Sequence, residues 1–210
     1  MLEGVDGSGI STQTGLLREW MEQNSPIFGK TYFTKEPTDG PVGSLIRLAL
    51  TKRLKPLDEK VMALLFAADR LDHLYSAGEN GQKAGLAQLL KQGYTVVSDR
   101  YYLSSFAYQS LQVDLDWVRE INTYSIRPDL TILLKVPVAE SVIRRNGSRL
   151  QEELYESSDS LSAVSLQYER ITRQLISEGE KIVVIDGRRP PEQVFADIKA
   201  AVLELYPRKG

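Results

Sequence analysis

The sequence contains no cysteine and a single histidine, His73. The first absence excludes a disulfide framework, a thiol nucleophile and any cysteine-ligated zinc or iron–sulfur centre. The second excludes a histidine-rich metal site and leaves a serine–histidine–aspartate hydrolase only one candidate base. With Asp69 and Asp72 beside it on a helical stretch, His73 is expected to be a satisfied helix-surface residue rather than a catalytic base. An excess of either charge is missing too: 26 Lys and Arg against 28 Asp and Glu give a formal charge of −2. General nucleic-acid binding, which draws on a strong basic excess, is therefore not expected. No apolar run approaches the roughly 20 residues of a membrane-spanning helix, and no signal-peptide pattern opens the chain. A soluble protein of a reducing compartment, the cytoplasm, is the expectation.

What remains, 210 residues, suits one α/β domain. A chain of that size hides roughly 70% of its unfolded surface. It has no internal repeat, low-complexity tract or linker, and short β-rich runs alternate with longer helical patterns. Strands are predicted at 30–34 (KTYFT), 94–98 (YTVVS), 130–136 (LTILLKV) and 181–185 (KIVVI). Helical patterns fall at 11–23, 42–51, 57–74, 83–92, 104–109, 116–126, 138–145, 160–177 and 191–205. Near-continuous apolar strands alternating with helices predict a parallel sheet covered on both faces. Ligands of such sheets bind beyond the carboxyl ends of the strands. A first strand must precede residue 4, where only three residues are available, against a usual length of about 5–6.

The segment GVDGSGIST at 4–12 fits the phosphate-cradling pattern G-x-x-x-x-G-x-[ST], with one position of the full motif changed. Gly4, Gly7 and Gly9 let backbone N–H groups turn inward, and the next helix presents its positive end to phosphate. Ser11, followed by Thr12, stands where a hydroxyl ligates Mg²⁺. The motif's lysine is absent, and Ile10 takes its place. Because that lysine reaches the β- and γ-phosphates, the loop alone leaves two alternatives open. It is either a glycine-rich turn without a phosphate role or an anion-binding loop without catalysis.

Five further segments bear on the reading, four of them after strand ends. Thr34 to Gly43 is rich in Pro and Gly and leads to Arg47, which can offer a planar fork to phosphate. Phe66 and Arg70 are four apart on one helical face, as a stacked base with a hydrogen-bonded carbonyl would need. The alternative is a core phenylalanine and an arginine paired with an acid. Asp99 ends the strand run before Arg100, in the position of a carboxylate that supports Mg²⁺. Arg100, costly to bury unpaired, needs either a phosphate or a structural ion pair with Asp99. Arg144, Arg145 and Arg149 cluster around Asn146-Gly147-Ser148, as in a lid closing over phosphates, or as a solvated charge run. Asp186-Gly187-Arg188-Arg189 opens the last helix, where backbone groups could meet an adenine edge.

Taken in order, LEGVDGSG (2–9), TKEP (34–37), LFAADR (65–70), SDRY (98–101), SSFAYQ (104–109), PDLT (128–131) and IDG (185–187) resemble the thymidylate kinases. The likeness runs from residue 2 to about residue 200 and implies a P-loop kinase fold, a five-stranded parallel sheet with a short lid. One domain would span 1–210, with the phosphate loop at 4–12 and the lid at about 144–156. It further implies transfer of the γ-phosphate of MgATP to dTMP, Mg²⁺ as cofactor, ATP and dTMP as ligands, and a homodimer formed through helices such as 61–74.

The site residues implied by the resemblance fall into three groups. Asp6, Arg100 and Arg149 would be catalytic. Gly4, Asp6, Gly7, Ser8, Gly9, Ile10, Ser11, Thr12, Arg144 and Arg188 would hold ATP, and Ser11 with Asp99 the metal. Phe66 would stack on thymine, Arg70 would bond its carbonyl, and Ser105 and Gln109 would contact the base. Tyr108 would crowd the 2′ position of the sugar. Arg47 and Arg100 would grip the dTMP phosphate, with Glu36, Pro37, Ser104 and Asp6 completing that side. The chain departs from the family pattern at Ile10, at Lys35, where arginine is common, and at Lys135, where aspartate is frequent. A lid arginine, Arg149 first, is expected to supply the charge that Ile10 lacks.

Overall fold

A computed structural model describes residues 1–77, 84–146 and 158–206. Its five strands are β1 (Leu2–Gly4), β2 (Thr31–Lys35), β3 (Thr95–Asp99), β4 (Thr131–Lys135) and β5 (Ile182–Asp186), all parallel, in the order β2-β3-β1-β4-β5. Registers pair Lys35 with Asp99, Leu2 with Asp99 and Ile132, and Lys135 with Asp186. The strands therefore end at nearly one level, and the segments that follow them gather on one edge. β4 (TILLK) is buried at every residue but the last, as a strand covered on both faces should be.

The helices are α1 (Ile10–Gln23), α2 (Ser25–Phe28), α3 (Pro41–Leu50), α4 (Glu59–Tyr75), α5 (Leu86–Lys91), α6 (Tyr102–Gln109), α7 (Leu115–Glu120), α8 (Val138–Asn146), α9 (Ser158–Ser177) and α10 (Pro191–Leu203). On one face, Ile10, Leu17 and Met21 of α1 and Val194 and Ile198 of α10 pack with Leu2, Ile132 and Ile185. On the other, Phe106 and Ala107 of α6 and Leu161, Val164 and Ile171 of α9 cluster with Leu133. Each such side chain contributes about 1.5–3 kcal/mol of transfer free energy when fully buried. A smaller cluster, Ile46, Ala49 and Met62, joins α3 to α4. Among the described residues no helix is long and apolar enough to cross a membrane.

Each strand expected from the sequence is present; three lie one residue later at both ends, and the one expected over 130–136 is one residue shorter at each end. β1 is the short central strand of three residues, and it ends at Gly4 with φ 156°. The short helix α2 was not anticipated; Pro26 occupies its first turn and Gly29 stops it. The helix expected over 116–126 ends at Glu120. Beyond it the chain tightens into turns, with Asn122 N–H bonded to the Arg119 carbonyl and Thr123 N–H to that of Glu120. The helix expected from residue 83 begins at Leu86, and Lys83 lies outside the described residues.

Candidate functional site

A cavity of about 950 Å³ opens where β1, β2 and β3 end. The loop from Val5 to Gly9 and the first turn of α1 form its floor. Gly7 has φ 82°, and a Cβ there would overlap the Ser141 carbonyl, so the turn needs glycine. Gly9, at φ 98°, caps α1 without a side-chain hydrogen bond, leaving the first-turn N–H groups available to an anion. The Ser8 hydroxyl is buried without a partner among the described residues and lines the same cavity. Ile10 is 6% exposed and belongs to the core between α1 and the sheet. The position of the missing cation is thus filled by a hydrophobic anchor.

Arg100 crosses the middle of the site. Its backbone is left-handed at φ 69°, a conformation that costs a residue with a Cβ about 1–3 kcal/mol. Its N–H donates to the Leu2 carbonyl at 2.9 Å. Nη2 donates to Asp6 Oδ1 at 2.8 Å, and Nη1 to the Gly4 carbonyl at 2.9 Å and Ser104 Oγ at 3.1 Å. The acidic partner of Arg100 is therefore Asp6. Tyr108 lies with its ring 5.5 Å from the guanidinium and its hydroxyl 3.4 Å from Asp6 Oδ2. Burial, then the Asp6 charge, raises the Tyr108 phenol above its ordinary range, so it stays a donor. Asp99 is pushed up by burial and held back chiefly by Arg100. Ser11 Oγ donates to Asp99 Oδ2 at 3.5 Å.

These two oxygen ligands suit a hard cation such as Mg²⁺. No group of three or more His, Asp or Glu among the described residues could hold a metal by itself. A cation held there would draw its other ligands from water and phosphate, which is how Mg²⁺ is commonly bound.

The second wall comes from β2, α3, α4 and α6. Arg70 is 1% exposed and still borders the cavity. Its Nε and Nη2 each lie 2.9 Å from Glu36 Oε2; Nη2 also donates to Ser105 Oγ at 3.0 Å, and Nη1 donates to Asn122 Oδ1. Of the five N–H donors of a guanidinium, one on Nη1 has no partner among the described residues. Phe66, four residues earlier, flanks the cavity while packing against the α3–α4 cluster. Ser105 and Gln109 line it as well, and the Gln109 Oε1 atom is buried without a partner among the described residues. The wall thus offers a flat apolar ring with a donor and an acceptor beside it.

Loop 36–40 is locked from below. Asp69 is 1% exposed and accepts from Thr38 N at 2.7 Å and Thr38 Oγ1 at 2.6 Å. Arg47 donates to the Pro37 carbonyl at 3.2 Å and to that of Thr38, and it lines the cavity with Pro37. His73 corrects the sequence expectation, because its ring is turned inward. Nδ1 lies 3.2 Å from Glu36 Oε1 and Nε2 2.8 Å from Thr34 Oγ1.

On the far side, Arg144 donates to the Gly187 carbonyl at 2.8 Å, pairs with Glu140 and reaches the cavity. Arg188 instead chelates Asp186 on the surface, at 2.7 Å, and holds that carboxylate well below its usual range. The neighbouring Arg189 lines the cavity. Gly4 contributes its carbonyl to Arg100, while Thr12 lines the floor directly. Arg149 lies outside the described residues, as does most of the expected lid.

Sequence reasoning passed over Glu3, Asp69, Asn122, Tyr168 and Arg189. For Asp69, its place in FAADR one residue before Arg70 was a usable signal. For Glu3, Asn122 and Tyr168, the contacts to Tyr101, Arg70 and Glu3 run over long sequence separations and leave no local pattern.

A family model described as thymidylate kinase matches residues 2–198. A protein of Thermococcus onnurineus named as a probable thymidylate kinase is 35% identical over 210 residues, covering 96% of this chain and 95% of its own. A protein of Pyrococcus abyssi with the same name is 34% identical over 207 residues, covering 96% and 94%. Another of that name from Staphylothermus marinus is 35% identical over 206 residues, covering 97% and 94%.

Proposed function

The chain belongs to the thymidylate kinase family, and from that premise we propose that it transfers the γ-phosphoryl group of ATP to the phosphate of dTMP, giving ADP and dTDP. The observation that carries this reading is the Asp6–Arg100 pair between the phosphate loop and the wall of Phe66 and Arg70. A group held there meets a cation on one side and a stacking surface on the other. In the transfer, a dTMP phosphate oxygen bonds to the γ-phosphorus while the bond to the β,γ-bridging oxygen breaks, and the electron pair leaves with ADP. Little covalent help is required, since such transfers depend mainly on alignment and charge neutralisation.

The loop amides of 7–12 cradle the ATP phosphates, and Arg47 and Arg100 neutralise the acceptor phosphate. Phe66 stacks on thymine, the remaining Arg70 N–H donates to its carbonyl, and Gln109 Oε1 accepts from its ring N–H. Tyr108 leaves little room for a 2′-hydroxyl. Mg²⁺ would be held by Ser11 with Asp99 in support, and would supply neutralisation of the ATP phosphate charge. The cation that Ile10 cannot provide comes from the arginines 144–149. Of these, Arg144 reaches the cavity, and Arg149 is the expectation from sequence. One arginine in such a role is worth about 10³–10⁵ in rate. Exposed Leu45, Leu48, Val61 and Leu64 on α3 and α4 support a homodimer through those helices.

A coupled ADP-release assay with dTMP, dUMP, dCMP, dGMP and thymidine tests the proposal. Turnover strongest with dTMP is expected. Absence of dTMP-dependent ADP release overturns it in favour of a nucleotide-binding protein without catalysis, the reading that Ile10 favours. Stronger turnover with another acceptor would reassign the substrate. In the same assay Arg149→Ala and Arg144→Ala are each compared with Ile10→Lys. Intact turnover in both alanine variants removes the compensation.

A further inference from the structure

Arg100 is held by more than the partners that face a ligand. Directly behind it lies Glu3, the middle residue of β1, with no exposed surface. Four donors converge on its carboxyl group. Oε1 accepts from Tyr101 N–H at 2.8 Å and Ser104 N–H at 3.3 Å, and Oε2 from Ser104 Oγ at 2.6 Å and the Tyr168 hydroxyl at 3.1 Å. An ionised carboxylate accepts about four such bonds, and these partners work against the burial that pushes this carboxyl above its ordinary range. The two hydroxyls lie 2.8 Å apart. The same two oxygens face the guanidinium, with Arg100 Nη1 3.1 Å from Ser104 Oγ and 3.4 Å from the Tyr168 oxygen.

A hydroxyl has one hydrogen and two lone pairs. With their hydrogens drawn toward Glu3, directly or through each other, Ser104 and Tyr168 can turn only lone pairs toward Arg100. Tyr168 comes from α9 and does not line the 950 Å³ cavity, so it does not act by touching a ligand there. We infer that Glu3 is a positioning residue for Arg100, acting through the Ser104 and Tyr168 hydroxyls to aim the guanidinium at the acceptor phosphate. The inference deepens the kinase reading and rests on it.

Glu3→Gln is a severe test because an amide fails in both orientations. With its NH₂ toward the hydroxyls, it turns their hydrogens onto a guanidinium that is itself a donor. With its NH₂ toward Tyr101 and Ser104, it sets donor against donor. The consequence is a displaced Arg100, and misplacement by about 1 Å costs on the order of 10²-fold in rate. Tyr168→Phe keeps the ring that packs edge-on against Tyr108 and removes one hydroxyl; its expected loss is roughly tenfold, one hydrogen bond's worth.

The experiment measures kcat per folded molecule, with KM for ATP and for dTMP, in the wild-type chain, both single variants and the double variant. The expected result is a kcat reduced about 10²-fold in Glu3→Gln, and roughly tenfold in Tyr168→Phe, with KM for ATP unchanged. The double variant is expected to be little worse than Glu3→Gln alone, because both act through one arginine. A purely structural role for Glu3 would lower the melting temperature and leave kcat per folded molecule alone. That result, or a wild-type kcat in Tyr168→Phe, overturns the inference while wild-type dTMP turnover keeps the kinase reading. If Glu3→Gln does not fold, Tyr168→Phe decides by itself. Absence of wild-type dTMP turnover overturns both.

Discussion

Replacing Arg70 with methionine removes the positive half of a buried pair and leaves the negative half in place. The two side chains are 1% and 3% exposed, and both Nε and Nη2 lie 2.9 Å from Glu36 Oε2. Taking one partner from such a pair costs about 3–5 kcal/mol, because the other charge stays out of water without compensation. Asn122 and Ser105 lose a partner in the same change. His73 remains 3.2 Å from Oε1 and holds the loss toward the lower end of that range. Domains of 150–250 residues lose about 2–4 °C in Tm per kcal/mol, so a fall of roughly 6–20 °C is expected. Urea denaturation followed by circular dichroism measures the free energy, provided that the slope m is unchanged. The decisive comparison is Glu36→Gln/Arg70→Met, which removes both charges and should recover at least half of the loss. A single-variant cost below about 1 kcal/mol, or a double variant as unstable as Arg70→Met, would refute burial as the source of the pair's importance.

Three other outcomes can be measured. Gly43→Ala should lower stability and raise KM for dTMP, since a Cβ there would overlap the Thr38 backbone and push on the loop carrying Glu36 and Pro37; unchanged KM would count against that loop as a base-side wall. Arg119 holds the Glu178 carboxyl below its ordinary range, so the pair contributes stability above pH ~4.3 and loses it as pH falls through the lower folded value. At an exposed site that is about 0.2–1 kcal/mol, and Glu178→Gln should cost it at pH 7 and progressively less as pH falls through that lowered value, in urea titrations. Leu64→Asp, on the exposed face of α4, should convert a homodimer to monomer in sedimentation velocity, and an unchanged sedimentation coefficient removes that face as the contact.

The strands were legible because each is a short apolar run closed by turn chemistry, and β4 shows the unbroken hydrophobicity of a strand covered on both faces. Helix ends were less so. Asp114 caps α7 visibly, whereas its early stop reflects Asn122, whose side chain is bonded at once to the Val118 carbonyl and to Arg70. On the site, residues that carry their chemistry in a motif, such as Phe66, Asp99 and Arg100, could be picked out one by one. Arg188 and Arg189 could not be separated, since adjacent arginines look alike until a neighbouring Asp186 captures one of them. Glu3 reads as a mere strand residue because its partners stand about 100 and 165 positions away. His73 was placed on the surface because Asp69 and Asp72 suggested a solvated face; Asp69 in fact points inward to Thr38.

The place of β1 in the sheet has a consequence for the order in which the molecule is made. Its neighbours are β3 and β4, so β1, which leaves the ribosome before both, cannot be paired on both sides until residues 131–135 have emerged. Closing so long a loop is slow, because its entropy is lost before any contact repays it. The phosphate loop therefore acquires its shape late, after β2 has already found β3 through neighbouring stretches of chain. Nucleotide capture during synthesis would accordingly begin only when β4 is outside the exit tunnel, and arrested nascent chains ending before β4 should show none.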